Sequence, residues 1–357
     1  MHADDFTLTA STRSLAMKKL QSLLEFCNLN AIIPQYTKCE FIVINGDEAD
    51  TEALTFGERL LKHVPYITLL GSHLTGIGTL KEDLKLHTLA RYKSCIKYFN
   101  FLKANELAPL SVKLKVLKGC VVNSLLYNCE TFGNDIPPDI EKKYIKLLKS
   151  TVSVRTNTPK LLLYVETGFL PMKAVILARQ LKFFKRYKEG LDINTPRAKL
   201  FNRIIAEGND FAQHYIDLSQ KYTCEADIYR EYSETIRNQI RTLTHQDHYK
   251  YEIYLQMNPN LEVSPFINNF HPLCKQIIRF RLGSHYLPIE TGRWSRTARA
   301  NRLCVYCGVL GDELHALYHC SAVDWTDITL PGDPGELWGS ADVFKLFQRM
   351  KEVKLVD

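Results

Sequence analysis

The chain has 357 residues and 41.1 kDa, with 45% hydrophobic and 24% charged residues; this suits two or three compact units and excludes a globally disordered chain. Forty-six Lys and Arg against 39 Asp and Glu leave a formal +7 and a pI near 8.7, an excess that alone barely favours a nucleic-acid partner. The opening Met-His-Ala-Asp-Asp carries acids where a signal peptide needs a basic region, and no run of about twenty apolar residues follows, so a nuclear or cytoplasmic protein is expected, neither secreted nor membrane-spanning.

In chain order, Ser11 to Cys27 reads as an amphipathic helix with Leu15, Leu20, Leu23, Leu24 and Phe26 on one side. Cys39 to Ile44 is a short apolar run ending at Asn45-Gly46, a buried strand leading into a tight turn, and Tyr66 to Leu70 is a second strand stopping at Gly71. From Thr79 the period is helical. Ser111, two residues after Pro109, is a candidate cap for a helix carrying Leu114, Leu117, Val121, Val122, Leu125 and Leu126. Asp135-Ile-Pro-Pro and Thr156-Asn-Thr-Pro are breaks, with helix from Asp139 and again from Ala174 to Tyr187. Residues 190 to 260 are polar, aromatic-rich and helical in period, and a last amphipathic helix carries Val343, Phe344, Phe347, Met350 and Val353.

Positive charge is clustered. Blocks run from Lys81 to Lys118 and from Lys173 to Lys188; a third, Lys275, Arg279, Arg281, Arg293, Arg296, Arg299 and Arg302, leads into a cysteine group. Each block alone is the solvated face of a helix; three in one chain point to a polyanion such as RNA or DNA. Seven of the ten cysteines are scattered through apolar stretches, as reduced core thiols are.

The other three form Cys304-x2-Cys307-x7-His315-x4-Cys320. Two cysteines two residues apart offer both thiolates to one side, and a later His and Cys close a tetrahedral zinc site. Gly308 suits the sharp turn of such a knuckle. His319 competes with His315 for the third position, although His315 leaves more room to wrap the metal. Four protein ligands make the zinc structural, with no open position for catalysis. At the other end, Asp4-Asp5 is a carboxylate pair that holds Mg²⁺ when further ligands are supplied.

Met1-His2-Ala3-Asp4-Asp5-Phe6 resembles the aromatic-Ala-Asp-Asp box of reverse transcriptases, with His2 where that family has Tyr or Phe. Further resemblances follow in the family's order. Gln35-x-x-Lys38-Cys39 and the strand after it resemble the Asn-x-x-Lys-Thr box, and Leu70-Gly71 resembles the primer-grip turn of non-LTR (LINE-like) retrotransposon enzymes. Leu125 to Gly133 is similar to a thumb helix of those elements, and Arg279 to Trp294 with the Cys-Cys-His-Cys group looks like their C-terminal tail.

The resemblance implies an α+β chain that is mostly α. An incomplete palm with a partial sheet would occupy 1–78 and a helical thumb-like region 79–190; a helical connecting region would follow over 191–290, then a zinc knuckle and C-terminal helix over 291–357. It implies Asp4 and Asp5 as catalytic metal ligands, Lys38 as proton donor or phosphate contact, Leu70 and Gly71 at the primer end, and Arg279, Arg281, Arg293, Arg296, Arg299 and Arg302 against nucleic-acid phosphates. The family's fingers, first palm aspartate and pairing strand would lie before Met1. Mg²⁺ is therefore expected only if that palm is supplied, with no polymerase activity from this chain alone and no small-molecule substrate. The competing expectation is a non-catalytic helical protein with structural zinc that binds nucleic acid or another partner.

Overall fold

The computed structural model describes residues 6–77, 80–134, 136–189, 194–208, 210–244 and 249–356. Helix accounts for 59% of the described residues and strand for 5%, so the mostly helical α+β class stands. The chain divides into two compact units, Met1–Ala90 and Arg91–Asp357.

In the first unit, Thr12 caps α1 (Arg13–Leu29) by accepting a hydrogen bond from the Leu15 N–H at 3.2 Å. The periodic apolar face of α1 presents Leu20, Leu23 and Leu24 to a small core of Leu54, Phe56 and Leu61. The strands are short and pair two by two. β1 (Glu40–Phe41) lies parallel to β4 (Lys62–His63). β2 (Thr55–Phe56) and β3 (Arg59–Leu60) form one hairpin, β5 (Tyr66–Leu69) and β6 (Ser72–Thr75) another. The strand expected over Cys39–Ile44 follows a 3₁₀ turn (Tyr36–Lys38) and is cut to two residues, because only Lys62 and His63 lie opposite it. Three separate ladders result, not one continuous sheet, among the described residues.

The division between the units falls within α2 (Leu80–Ala104). The second unit continues with α3 (Leu110–Val116), a π-helical segment (Leu117–Val122) and a last turn, α4 (Asn123–Leu125). Pro109 itself stands at the cap position of α3, and Ser111 is buried inside the first turn without the capping role expected of it. Next come α5 (Pro138–Val152), α6 (Lys160–Thr167) and α7 (Met172–Glu189), then α8 (Pro196–Ala206), α9 (Asp210–Lys221), α10 (Glu225–Thr244) and α11 (Tyr249–Met257). Pro138 and Pro196 open their helices, where a missing N–H costs no hydrogen bond. Ala174, Leu177, Ala178 and Leu181 of α7 pack on Leu218, Tyr222 and Ile228, a core joining α7, α9 and α10. The C-terminal part holds α12 (Cys274–Arg281), α13 (Pro288–Trp294), α14 (Glu313–Tyr318) and α15 (Val343–Glu352). In α15 the buried face is Val343, Leu346, Phe347 and Met350, with Phe344 turned onto His271 at a ring distance of 4.0 Å. No single helix among the described residues is long and apolar enough to cross a membrane.

Candidate metal centre and its cationic surroundings

The knuckle is a tight backbone reversal. The Gly308 N–H donates to the Cys304 carbonyl at 2.9 Å and the Cys304 N–H to the Val309 carbonyl at 2.7 Å, with Leu303 and Leu310 bridged across the turn. Gly308 has φ 68°, a left-handed conformation in which a Cβ is strained. Both cysteines of the pair therefore face one side. Of the other two ligands, His315 lies in the first turn of α14, which Asp312 caps by accepting from the His315 N–H at 2.9 Å, and Cys320 follows the end of that helix.

The four donor atoms of Cys304, Cys307, His315 and Cys320 lie within 4.8 Å of one another. Cys304 Sγ is 3.8 Å and Cys307 Sγ 3.9 Å from Cys320 Sγ. Zinc–sulfur bonds of about 2.3 Å at a tetrahedral angle place two sulfurs about 3.8 Å apart. His315 Nε2 is buried with no hydrogen-bond partner, the condition of a nitrogen reserved for a metal. His319, the rival for this position, is not in the group. Hydrogen bonds from the Ser321 hydroxyl and then its backbone N–H pull the Cys307 thiol below its usual range, whereas burial pushes the Cys320 thiol up to about 11. Binding a divalent cation would deprotonate both. The donor set thus fits a structural Cys3His zinc site, and it is the one group of its kind among the described residues.

Behind the metal centre stands a buried polar relay. Glu313, in α14, accepts from Tyr249 Oη at 2.9 Å and pairs with His285 Nε2 at 2.9 Å. Burial alone would raise the Glu313 carboxyl; the charge and hydrogen bond of His285 outweigh it and hold the group below its usual range. Gly292 lets the knuckle seat against α13: a Cβ there would stand 2.5 Å from Arg302 Cγ. Arg302 crosses at that point to donate to the carbonyls of Thr297 (3.0 Å) and Ile289 (2.9 Å).

No protein family, curated protein or solved structure matches the chain. The site therefore rests on its own geometry.

The arginines expected on phosphates divide into two sets. Arg281 is corrected: it is 3% exposed and bidentate to the fully buried Glu166, with Nε–Oε1 2.8 Å and Nη2–Oε2 3.1 Å. Tyr254 also donates to Glu166, at 2.7 Å, and the Arg281 guanidinium covers Trp338 at 4.7 Å. A charge so engaged is not offered to a phosphate. Arg302 is held by the backbone carbonyls just named, and Arg293 lies 3.5 Å from Glu290. Arg279 is half-buried. Arg296 and Arg299 are exposed, Arg299 lying over the Tyr249 ring at 4.0 Å. The block on α7 is likewise partly engaged by its neighbours: Arg179 donates to Asn123 and Leu126, Lys185 to the Thr223 carbonyl, and the exposed Lys182 pairs with Glu225.

In the first unit, Lys38 is exposed at the end of the 3₁₀ turn before β1. Leu70 and Gly71 form the two-residue turn of the β5–β6 hairpin, both with positive φ (48° and 79°), as a type I′ turn requires. Asp4 and Asp5 lie outside the described residues. Sequence reasoning missed Glu166, Glu313, His285 and Arg155. No local signal marks them, since each takes its meaning from partners far along the chain.

Proposed function

We propose that the second unit is a nucleic-acid-binding module fastened by structural zinc, the C-terminal portion of an RNA-directed DNA polymerase of the non-LTR retrotransposon type. The observation that carries this reading is the Cys3His cluster closing directly onto an arginine-rich segment whose Arg296 and Arg299 face solvent. Between residues 279 and 302 there are six arginines and one glutamate, and that glutamate, Glu290, is fully buried. Charge sorts the same way on a larger scale. Residues 1–90 carry 8 Lys and Arg against 11 Asp and Glu, a formal −3, whereas 91–357 carry 38 against 28, a formal +10. A cationic unit of that kind attracts phosphate backbones largely without regard to base sequence.

Metal chemistry at the knuckle is architectural: zinc would hold the turn and α14 together and so fix the arginine segment. Polymerase ancestry is supported by the shared order of the Asp4-Asp5, Lys38, Leu70-Gly71 and Cys304–Cys320 features. The test is binding of RNA and DNA oligonucleotides across a salt series. Affinity should fall by orders of magnitude between low and moderate salt, and Arg296→Glu with Arg299→Glu should weaken binding to every sequence alike. Binding indifferent to salt, or untouched by the charge reversal, rejects the reading. A second reading, a helical interaction protein with structural zinc, draws on the inward engagement of Arg281 and Arg302. It predicts no nucleic-acid binding at any salt concentration.

A further inference from the structure

We propose that Tyr286 and Trp294, backed by Arg155, form a stacking platform for the bases of single-stranded nucleic acid. The inference rests on the nucleic-acid reading above and adds the class of strand that is bound. The segment between α5 and α6 places Arg155 beside α13, where its backbone N–H donates to the buried Ser284 hydroxyl at 3.0 Å. Its guanidinium lies 4.5 Å from the centre of the Tyr286 ring and 4.2 Å from that of Trp294. The rings meet edge to face at 87° with centroids 6.0 Å apart. Neither Nη of Arg155 has a hydrogen-bond partner, so its cation is stabilised by the two π faces and not neutralised by a carboxylate.

A latch holding the α5–α6 segment onto α13 would need only the inner faces of these rings, and would favour covering the rest. Instead Tyr286 is 53% and Trp294 52% exposed. The charge around them is positive. Lys149 donates to the Thr156 carbonyl beside Arg155, and burial followed by the charge of Lys250 holds its ammonium below the ordinary range. The one acid between residues 279 and 302, Glu290, is already taken by Lys250 at 2.7 Å and Arg293 at 3.5 Å. Exposed rings in a cationic field suit a strand whose bases are unstacked and whose phosphates run alongside. A duplex keeps its bases inside and cannot use the rings.

The test uses the full zinc-loaded chain, a short labelled oligothymidylate and a duplex of equal length at one salt concentration. Trp294→Ala and Tyr286→Ala should each weaken single-strand binding by about five- to a hundredfold, the range set by loss of one base stack, with duplex binding changed by less than about twofold. Trp294→Phe, which keeps a ring in place, should recover most of the affinity. Tryptophan emission of the wild type should be quenched by the oligothymidylate, and that quenching should vanish in Trp294→Ala. Equal losses on single strand and duplex, or no loss on either, overturn the platform while leaving the parent reading intact. A wild-type chain that binds neither probe removes both.

Discussion

Three side chains bear most weight at the residue scale. Cys304, Cys307 and Cys320 can serve as thiolates only if a cation offsets their mutual repulsion, and the spacing of their sulfurs leaves room for one. Purified protein should therefore contain a single zinc per chain by elemental analysis. Cys304→Ser or His315→Ala should lose it and melt earlier, whereas Cys120→Ser, at an exposed position away from the knuckle, should retain it. Full metal content in Cys304→Ser would remove the assignment. Glu166 and Arg281 present the opposite case, a pair with no solvent to fall back on. Glu166→Gln leaves a buried guanidinium without its counter-charge and should cost about 3–5 kcal/mol in urea unfolding. Replacing both by apolar residues of similar size should cost less than the single change. The candidate metal ligands Cys304, Cys307 and Cys320 were legible because they lie within seventeen positions of one another. The role of Arg281 was not, because Glu166 sits 115 residues away and nothing near Arg281 announces it.

Helix ends decide more than helix interiors at the scale of elements. α12 closes on Gly283, where the Ser284 N–H donates to the Arg279 carbonyl and φ is 60°. α13 closes with the same pattern: the Thr297 N–H donates to the Gly292 carbonyl at 2.8 Å, and the Arg296 N–H to that of Arg293 at 3.3 Å. Here the left-handed position is Arg296, with φ 55°. Glycine would be easier there by about 1 kcal/mol, and an exposed arginine gains no packing in exchange. Its presence is explained if the guanidinium is wanted outside. Arg296→Gly should thus raise thermal stability slightly and lower nucleic-acid affinity in the same protein; a fall in both would show that Arg296 holds the fold and not a phosphate. Helix placement itself was readable from apolar period and proline, as in α1, α5 and α15. The run Cys39–Ile44 was over-read because apolar residues announce burial, whereas strand length is set by what lies opposite, here only Lys62 and His63.

Across the whole molecule, charge is divided between a formally acidic first unit and a strongly basic second unit that also holds the candidate metal centre and the polar relay of Glu313 with Tyr249 and His285. Chelation should act locally: hydrogen exchange should speed up across 303–320 and around Tyr249, while α1 and the β5–β6 hairpin keep their protection. Unaltered exchange at the knuckle after chelation would mean that it folds without metal. What the sequence by itself determined is local: the helical class, the breaks marked by proline, the turn at Gly308 and the three cysteines of the candidate zinc group. These depend on neighbours a few residues apart, so periodicity and spacing express them directly. Only the tertiary structure decided which cations face water, that His315 and not His319 joins the cysteines, and that Arg155 lies behind Tyr286 and Trp294. Those outcomes turn on burial and on partners brought from distant segments, and a charge reads the same in sequence whether it ends in a core beside a carboxylate or at a surface awaiting one.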